Sequence, residues 1–211
     1  MSRHLITAPT ADVVSVDDLK VMLGISGDTQ DGMLEAARDA VVDTLDPASG
    51  GWLGRALRPQ TWELRLDQFP ACEIMLPFPP LISLTSVKYY TEDGTDTTLT
   101  VATDYRVFGE GTKGKAYIQP AYNDTWPIAR TDPESVRIRY VCGYAGSDLP
   151  SAIVSAVALG VRAVLNPTER NLYLSAEEIP GVRNRRWTVS DAASAQIERS
   201  IGSLLSTYRV W

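Results

Sequence analysis

The stretch of sequence that decides the fold is SVRIRYVCGYAGSDLPSAIVSAVALGVRAVL, at residues 135–165. Its first eight residues, 135–142, have the length and the β-branched and aromatic content of a strand. Pro150 suits the first position of a helix, and residues 151–165 are apolar nearly all round and rich in alanine and serine. We therefore predict that the chain passes here from a sheet to a helix that is buried on most sides.

The residues before this stretch have the pattern of an antiparallel sheet. From residue 61 to 67, polar residues alternate with Trp62, Leu64 and Leu66, which is the two-residue period of a half-buried strand. Turn-forming residues separate further short strands, which are predicted at 73–76, 86–91, 97–101, 105–108 and 115–119. Short strands at this spacing predict a compact antiparallel sheet or sandwich rather than a parallel sheet.

Two helices are predicted before this β module. Ser15 stands where an N-cap belongs, Asp18 follows at the third position, and Gly24 ends the first helix. The second helix is predicted at residues 29–45, where apolar residues recur every three or four positions, and Pro47 closes it.

After the buried helix, the sequence predicts a long irregular segment at 166–188 and a last helix at 190–208. The predicted fold class is therefore α+β: a helical bundle of two N-terminal and two C-terminal helices, with an inserted antiparallel β module. The corresponding parts are residues 1–58, 59–145 and 146–211.

Composition excludes several classes of protein. The net charge of -6 argues against ordinary tight binding to DNA phosphates, which depends on clustered lysine and arginine. No apolar run is long enough to span a membrane, and the N-terminus lacks the apolar region of a signal peptide, so we expect a cytoplasmic protein. In that compartment Cys72 and Cys142 are predicted to be reduced core residues. His4, the single histidine, is predicted to lie in a mobile N-terminal segment.

The sequence also lacks the motifs of common enzymes. It has no HExxH, no GxSxG, no phosphate-binding loop and no cysteine–histidine pair. The adjacent acidic pairs at 92–93 and 177–178 are weak indications of a catalytic or metal site. We therefore predict no enzymatic activity, no catalytic residue, no metal ion and no cofactor.

Six segments together resemble one family. They are VDDLKVMLGI at 16–25, DGMLEAARDAV at 31–41, RPQTWELRLDQFP at 58–70, IMLPFPPLISLTSVKYY at 74–90, TDYRV at 103–107 and RIRYVCGYAGSDLPSAIVSAVALGV at 137–161. In this order the segments resemble the head-tail connector (adaptor, or head-completion) proteins of tailed bacteriophages and gene transfer agents. The resemblance covers about residues 15–165. Beyond Leu165 the chain departs from the family, with a longer segment than the family leads us to expect.

The resemblance implies a structural role in the neck of a virion or phage-like particle, assembled in the bacterial cytoplasm. It implies a homo-oligomeric ring, commonly of twelve subunits, that binds the portal protein on one side and a stopper or tail-completion protein on the other. Double-stranded DNA passes through the lumen without sequence-specific binding, and no membrane is involved. Two alternatives remain open: the protein is itself a stopper or tail-completion protein, or it is a small ligand-binding module that uses the strand tyrosines at 89, 90, 105 and 117.

An acidic stripe is predicted on the second helix, with carboxylates three or four residues apart. Like charges at this spacing are unfavourable in an isolated helix by roughly 0.2–0.5 kcal/mol per pair. The stripe either lines a channel or faces a partner, or it is simply a solvated helix face with Arg38 as partial compensation. Its residues are Asp31, Glu35, Asp39, Asp43 and Asp46.

The C-terminal region supplies the other candidate contacts. Arg183, Arg185 and Arg186 form the one dense basic patch of the sequence, which is predicted to contact a partner rather than DNA, or to be an exposed loop without a role. Aromatic and arginine side chains are frequent anchors at protein interfaces. The candidate anchors, which dock either on a partner or on this chain itself, are Trp187, Tyr208, Arg209 and Trp211.

Overall fold

The computed structural model describes residues 1–169, 176–179, 183–186 and 191–210. Within these residues the chain is an α+β protein, as predicted, and it divides into two compact units. The sheet unit contains Met1–Asp12, Leu45–Leu149 and Val210, and the helical unit contains Val13–Thr44 and the described part of Pro150–Arg209. Residues 1–12, which the sequence grouped with the helices, therefore belong to the sheet unit.

The sheet unit contains two antiparallel sheets. A five-stranded sheet has the strand order β1-β2-β8-β4-β5, and a three-stranded sheet has the order β3-β7-β6. The seven predicted strands are confirmed, and most of their ends shift by one or two residues, but β4 begins five residues before the predicted start at 86. The strands are β1 (Ser2–Thr7), β2 (Gln60–Leu66), β3 (Ile74–Leu76), β4 (Leu81–Tyr90), β5 (Asp96–Leu99), β6 (Tyr105–Phe108), β7 (Ala116–Pro120) and β8 (Val136–Cys142).

One apolar cluster draws on both sheets. Trp62, Leu64 and Ile138 come from the five-stranded sheet, and Leu76 and Ile118 come from the three-stranded sheet; all five are buried. The alternation of β2 explains this arrangement, because its apolar residues point to one face and its polar residues to the other. The opposite face of the five-stranded sheet consequently carries a dense set of charged side chains.

The N-terminal segment corrects one prediction. Residues 2–7 form β1, which pairs antiparallel with β2, so the segment that was expected to be mobile is an edge strand of the sheet. His4 lies opposite Glu63 in this pairing, and its Nε2 atom is 3.3 Å from a carboxylate oxygen of Glu134. The pairing was missed because β1 is held by a strand more than fifty residues away in the sequence.

The helical unit contains the four predicted helices: α1 (Val16–Leu23), α2 (Asp31–Leu45, whose last residue is assigned to the sheet unit), α3 (Ser151–Glu169) and α4 (Asp191–Ser206). The predicted cap of α1 is confirmed, because the Ser15 hydroxyl accepts a hydrogen bond from the Asp18 amide at 3.1 Å. Gly24 ends α1 in the left-handed conformation that glycine adopts readily.

Close packing of α3 on α2 depends on Gly160. A β-carbon at this position would lie 2.8 Å from a methyl carbon of Val41, so glycine lets the two helices approach each other. The segment at 166–188, predicted to be irregular, differs from expectation in its described part. There α3 continues to Glu169, and two short strands, β9 (Ala176–Ile179) and β10 (Arg183–Arg186), pair antiparallel.

Candidate interaction surfaces

The N-terminal end of the predicted acidic stripe is paired inside the helical unit. Asp31 begins α2, and its carboxylate lies 2.6 Å from the Lys20 amine of α1, whose side chain is only 12% exposed. The same amine lies 2.8 Å from Asp28. The hydrogen bonds to Asp28 and Asp31 raise the pKa of Lys20, and the hydrogen bond from Lys20 lowers the pKa of Asp28. Asp31 therefore serves to connect α1 with α2.

The middle of the stripe faces outward. Glu35 and Asp39 are each 59% exposed in their side chains, and Asp43 is also exposed. Arg38 lies among them at 4% exposure; its Nε donates to Asp39 at 2.8 Å, and its Nη1 donates to the Val14 carbonyl oxygen at 3.3 Å. The Arg38 Nη2 atom also lies 3.7 Å from a carboxylate oxygen of Glu35, so the buried guanidinium pairs with two of the exposed carboxylates. We call these three residues, Glu35, Asp39 and Asp43, the exposed acidic stripe.

Asp46 corrects the other end of the stripe. It lies one residue beyond α2 and is only 3% exposed. Its carboxylate caps the short 3-10 helix Pro47–Ser49 by accepting from the Ala48 amide, and it also accepts from the Leu57 amide and the Gln60 side chain, each at 2.8–2.9 Å. Helical spacing was wrongly extended past the end of the helix, and Asp46 is a buried structural residue.

The basic patch forms part of a small hairpin. Arg183, Arg185 and Arg186 all lie in β10, and the register with β9 places Arg185 opposite Glu177. Asn184 lies opposite Glu178 in the same register. The strand that contains the three arginines is thus hydrogen-bonded to a strand that contains two glutamates. The two strands together therefore carry a smaller net charge than the basic patch alone. Trp187, a predicted anchor, lies outside the described residues.

The C-terminal residues before Trp211 dock on their own chain. The amides of Tyr208 and Arg209 both donate to the carbonyl oxygen of Leu205, which extends the end of α4. The Val210 amide donates to the Leu53 carbonyl oxygen at 3.0 Å within the sheet unit. Tyr208 is half-buried and Arg209 is exposed. Trp211 lies outside the described residues, so its role as an anchor stays a prediction.

The charged face of the five-stranded sheet is a feature that sequence reasoning missed. Glu63, whose side chain is 6% exposed, accepts from Arg65 at 2.8 Å and from Arg139 at 2.7 Å. Arg65 also donates to Glu134 at 2.7 Å, and Glu134 accepts from the Ser2 hydroxyl at the same distance. The alternation in β2 indicated which of its residues lie on this face. Only the strand order shows that β1 and β8 are the neighbours of β2.

These contacts hold both glutamates in the ionised form. Burial raises the pKa of Glu63, but the hydrogen bonds from Arg139 and Arg65 together outweigh it, so the net pKa lies below the ordinary value. Hydrogen bonds from Ser2 and Arg65 lower the pKa of Glu134 from 4.5 to about 2. Both carboxylates therefore join neighbouring strands by charge-assisted hydrogen bonds.

Replacing Glu134 by glutamine tests this network through its pH dependence. A carboxyl with a lowered folded-state pKa stabilises the fold above its ordinary pKa and loses that effect as the pH falls through the folded value. We expect the urea midpoint of Glu134→Gln to lie below that of the wild type at pH 7, and the difference to disappear between about pH 4.5 and pH 2. A difference that stays constant over this range would contradict the assignment.

The alternative of a ligand-binding module based on the strand tyrosines gains no support. Tyr89 and Tyr105 are buried in the core, whereas Tyr117 stacks on Phe108 and Tyr90 lies under Arg137. The four tyrosines therefore do not line a common pocket. Among the described residues, no cluster of histidine, cysteine, aspartate or glutamate is arranged to bind a metal ion. No described helix is both long and apolar enough to cross a membrane.

The two cysteines differ in environment. Cys142 is buried at the end of β8, as predicted, and burial raises the pKa of its thiol. Cys72 is exposed, so the prediction that it is a core residue is wrong. Its carbonyl oxygen accepts a hydrogen bond from the Trp126 indole at 2.9 Å, and Trp126 stacks on Phe69. Both aromatic rings pack against the apolar cluster of the sheet unit.

The fold is similar to that of chains from gene transfer agent particles. A chain from the virion of a native gene transfer agent particle is similar over 100% of this chain and 96% of its own length, with a TM-score of 0.67 and 17% identity. Chains from the neck of the empty particle, computed with C6 symmetry, and from the neck of the native particle, computed with C12 symmetry, have TM-scores of 0.66 and 0.63. Their identity and coverage are the same as for the virion chain. No family model and no curated protein matches the sequence.

Proposed function

We propose that this chain is a structural head-tail connector (adaptor) in the neck of a tailed-phage-like particle. It forms a homo-oligomeric ring beneath the portal protein, joins the capsid to the stopper or tail-completion protein, and forms part of the channel for double-stranded DNA. The observation that carries the proposal is the similarity of fold to neck chains over the entire chain. The sequence resemblance, which rests on residues 15–165, supports the same role independently.

The surface chemistry agrees with this role. A closed ring of identical copies uses two different patches on each copy, because each interface joins unlike surfaces head to tail. This chain has exposed carboxylates on α2 and a sheet face of paired arginines and carboxylates, which are unlike surfaces. No sequence-specific DNA contact is required, since the chain passes DNA rather than reading it. A ring of twelve is the expected stoichiometry.

Electron cryomicroscopy of particles from cells that make the protein tests the proposal. We expect a ring of density beneath the portal into which both units fit. Particles in which the protein is absent from the neck would overturn the connector role, and a protein found only as a free monomer with a saturable ligand would favour a binding module. A ring located below an identified adaptor would instead identify the protein as a stopper or tail-completion protein.

Deleting residues 209–211 is expected to weaken assembly while leaving the fold intact. The deletion removes the hydrogen bond from the Val210 amide to Leu53, which contributes about 1 kcal/mol to the free energy of unfolding. We expect a small decrease in the urea midpoint and a large decrease in incorporation into particles. Trp211→Ala is the matched control for the stability change, because it keeps the Val210 hydrogen bond. A truncated protein that joins particles as well as the wild type refutes the prediction.

A further inference from the structure

The loop between β6 and β7 contains two lysines and three glycines. Its sequence is GEGTKGK, at residues 109–115. We call these residues the lysine loop. Lys113 and Lys115 are both exposed, and neither forms an ion pair or a side-chain hydrogen bond with any of the described residues. The two amines are therefore available to an anion from outside the chain.

A buried arginine holds the tip of the lysine loop in place. Arg55 is only 7% exposed, and its Nη1 atom donates to the Lys113 carbonyl oxygen at 2.8 Å and to the Tyr144 hydroxyl at 3.1 Å. Nearer the start of the loop, the Gly111 amide donates to the Leu81 carbonyl oxygen at 3.0 Å. These hydrogen bonds tie the loop to the sheet unit at two points, so its backbone groups point in defined directions.

The hydrogen bond from Arg55 directs one backbone amide outward. In a trans peptide group the C=O and the N–H point in opposite directions. Since the Lys113 carbonyl oxygen points towards the buried Arg55 guanidinium, the Gly114 N–H points away from it. This N–H donates to no acceptor among the described residues, and a β-carbon at Gly114 would meet only the Thr112 hydroxyl, at 3.8 Å. The space around the Gly114 amide is therefore open to a phosphate group.

We propose that the lysine loop contacts the phosphates of double-stranded DNA in the channel, with the amines of Lys113 and Lys115 and the Gly114 amide as donors. This inference rests on the proposed function and names the part of the chain that touches the DNA. Lysine amines and backbone N–H groups are common donors to DNA phosphates, and such contacts read no base sequence. DNA of any sequence can therefore pass the loop.

Carboxylates close to the loop keep the contact of each copy weak. The loop contains two lysines and one glutamate, Glu110, so its net charge is only +1. Asp148 also lines the same groove as Lys113. A ring repeats the loop in every copy, and the electrostatic contribution to DNA binding increases with the number of phosphates contacted. Weak contacts that repeat around a ring suit a channel that holds DNA and then releases it.

Removing both amines tests the inference. We would measure binding of the full-length protein to a fluorescently labelled DNA duplex by anisotropy, at several salt concentrations. We expect the double variant Lys113→Gln with Lys115→Gln to bind at least about tenfold more weakly at low salt, and the slope of log K against log salt to decrease in magnitude by about 1–2. Glu110→Gln removes a carboxylate from the same loop and should strengthen binding. A wild-type protein that does not bind the duplex at low salt would overturn the inference.

The matched control lies in the helical unit. Arg162 on α3 and Arg199 on α4 are exposed, and Arg162→Gln with Arg199→Gln makes the same change in net charge. This control should bind the duplex within about twofold of the wild type. An equal loss in both double variants would mean that net charge governs binding, and it would overturn the inference. Displacement of the duplex by inorganic phosphate, at an ionic strength where chloride has no effect, would do the same, because the loop would then be a site for the free anion.

Electron cryomicroscopy of DNA-filled particles separates failure of this inference from failure of the proposed function. We expect the lysine loop of each copy in the ring to face the DNA density in the channel. A ring whose lysine loops face the outside of the neck overturns this inference and leaves the connector role standing. Absence of the protein from particle necks overturns both, because no channel would then bring DNA to the loop.

Discussion

Alanine in place of Gly143 is expected to lower the free energy of unfolding by about 3–5 kcal/mol, which combines backbone strain with a steric clash. Gly143 follows β8 directly and has a φ of +117°, a conformation that residues with a side chain rarely adopt. A β-carbon there would collide with the backbone of Arg58 and Pro59, which cannot move away as a flexible side chain would. The Gly143 amide also donates to the Pro80 carbonyl oxygen at 2.8 Å. Urea unfolding measures the change.

Gly146 is the matched control for this substitution. It also has a positive φ, of +50°, but a β-carbon there would meet nothing within 4 Å. Gly146→Ala should therefore cost about 1 kcal/mol, the strain of the left-handed conformation alone. If the two variants unfold at the same urea concentration, the close approach of the chain at Gly143 does not limit stability.

The second large effect is expected at Asp46. Asp46→Ala leaves the buried Leu57 amide without an acceptor, and it leaves the side-chain amide of the buried Gln60 with only the Arg58 carbonyl oxygen, at 3.4 Å. A buried polar group without a partner costs about 1–3 kcal/mol, so one such group and one weakened hydrogen bond predict a loss of about 2–4 kcal/mol in the free energy of unfolding. Gln60 in turn accepts from the Trp62 indole at 2.9 Å, so the disturbance reaches β2.

Two further variants qualify this prediction. Asp46→Asn keeps the size and one acceptor oxygen, and it should lose about half as much stability as alanine. Glu92→Ala removes an exposed carboxylate from the turn after β4 and should change stability by about 0.5 kcal/mol or less. An effect of Asp46→Ala as small as that of Glu92→Ala would mean that the hydrogen bonds of Asp46 do not support the fold.

Local patterns predicted most of the fold because they depend on residues close together in the sequence. The cap at Ser15, the end of α1 at Gly24 and the alternation in β2 each involve neighbours within about four positions, and the structure confirms all three. The start of α3 after Pro150 was predicted for the same reason. The α+β order of helices, strands and helices follows directly from these elements.

The candidate surfaces were predicted less completely because they depend on where elements end and which strands become neighbours. Glu35 and Asp39 are exposed as the helical spacing indicated, whereas Asp31 pairs with Lys20 and Asp46 is buried. The sequence also did not predict that the basic patch lies in a strand paired with β9, in a register that places Glu177 opposite Arg185. A spacing rule identifies a face of a helix but not the contacts that use its charges.

By itself, the sequence determined most of the elements and their order, the polar and apolar sides of β2, and an ordered set of segments resembling head-tail connectors. Only the tertiary structure decided that β1 joins the sheet, that Glu63 links Arg65 to Arg139, and that Lys88 lies opposite Arg137. The physical reason is the distance in sequence over which each property acts. Capping and alternation are local properties of the backbone, whereas the compensation of a charge depends on strands that are far apart in sequence and adjacent in the sheet.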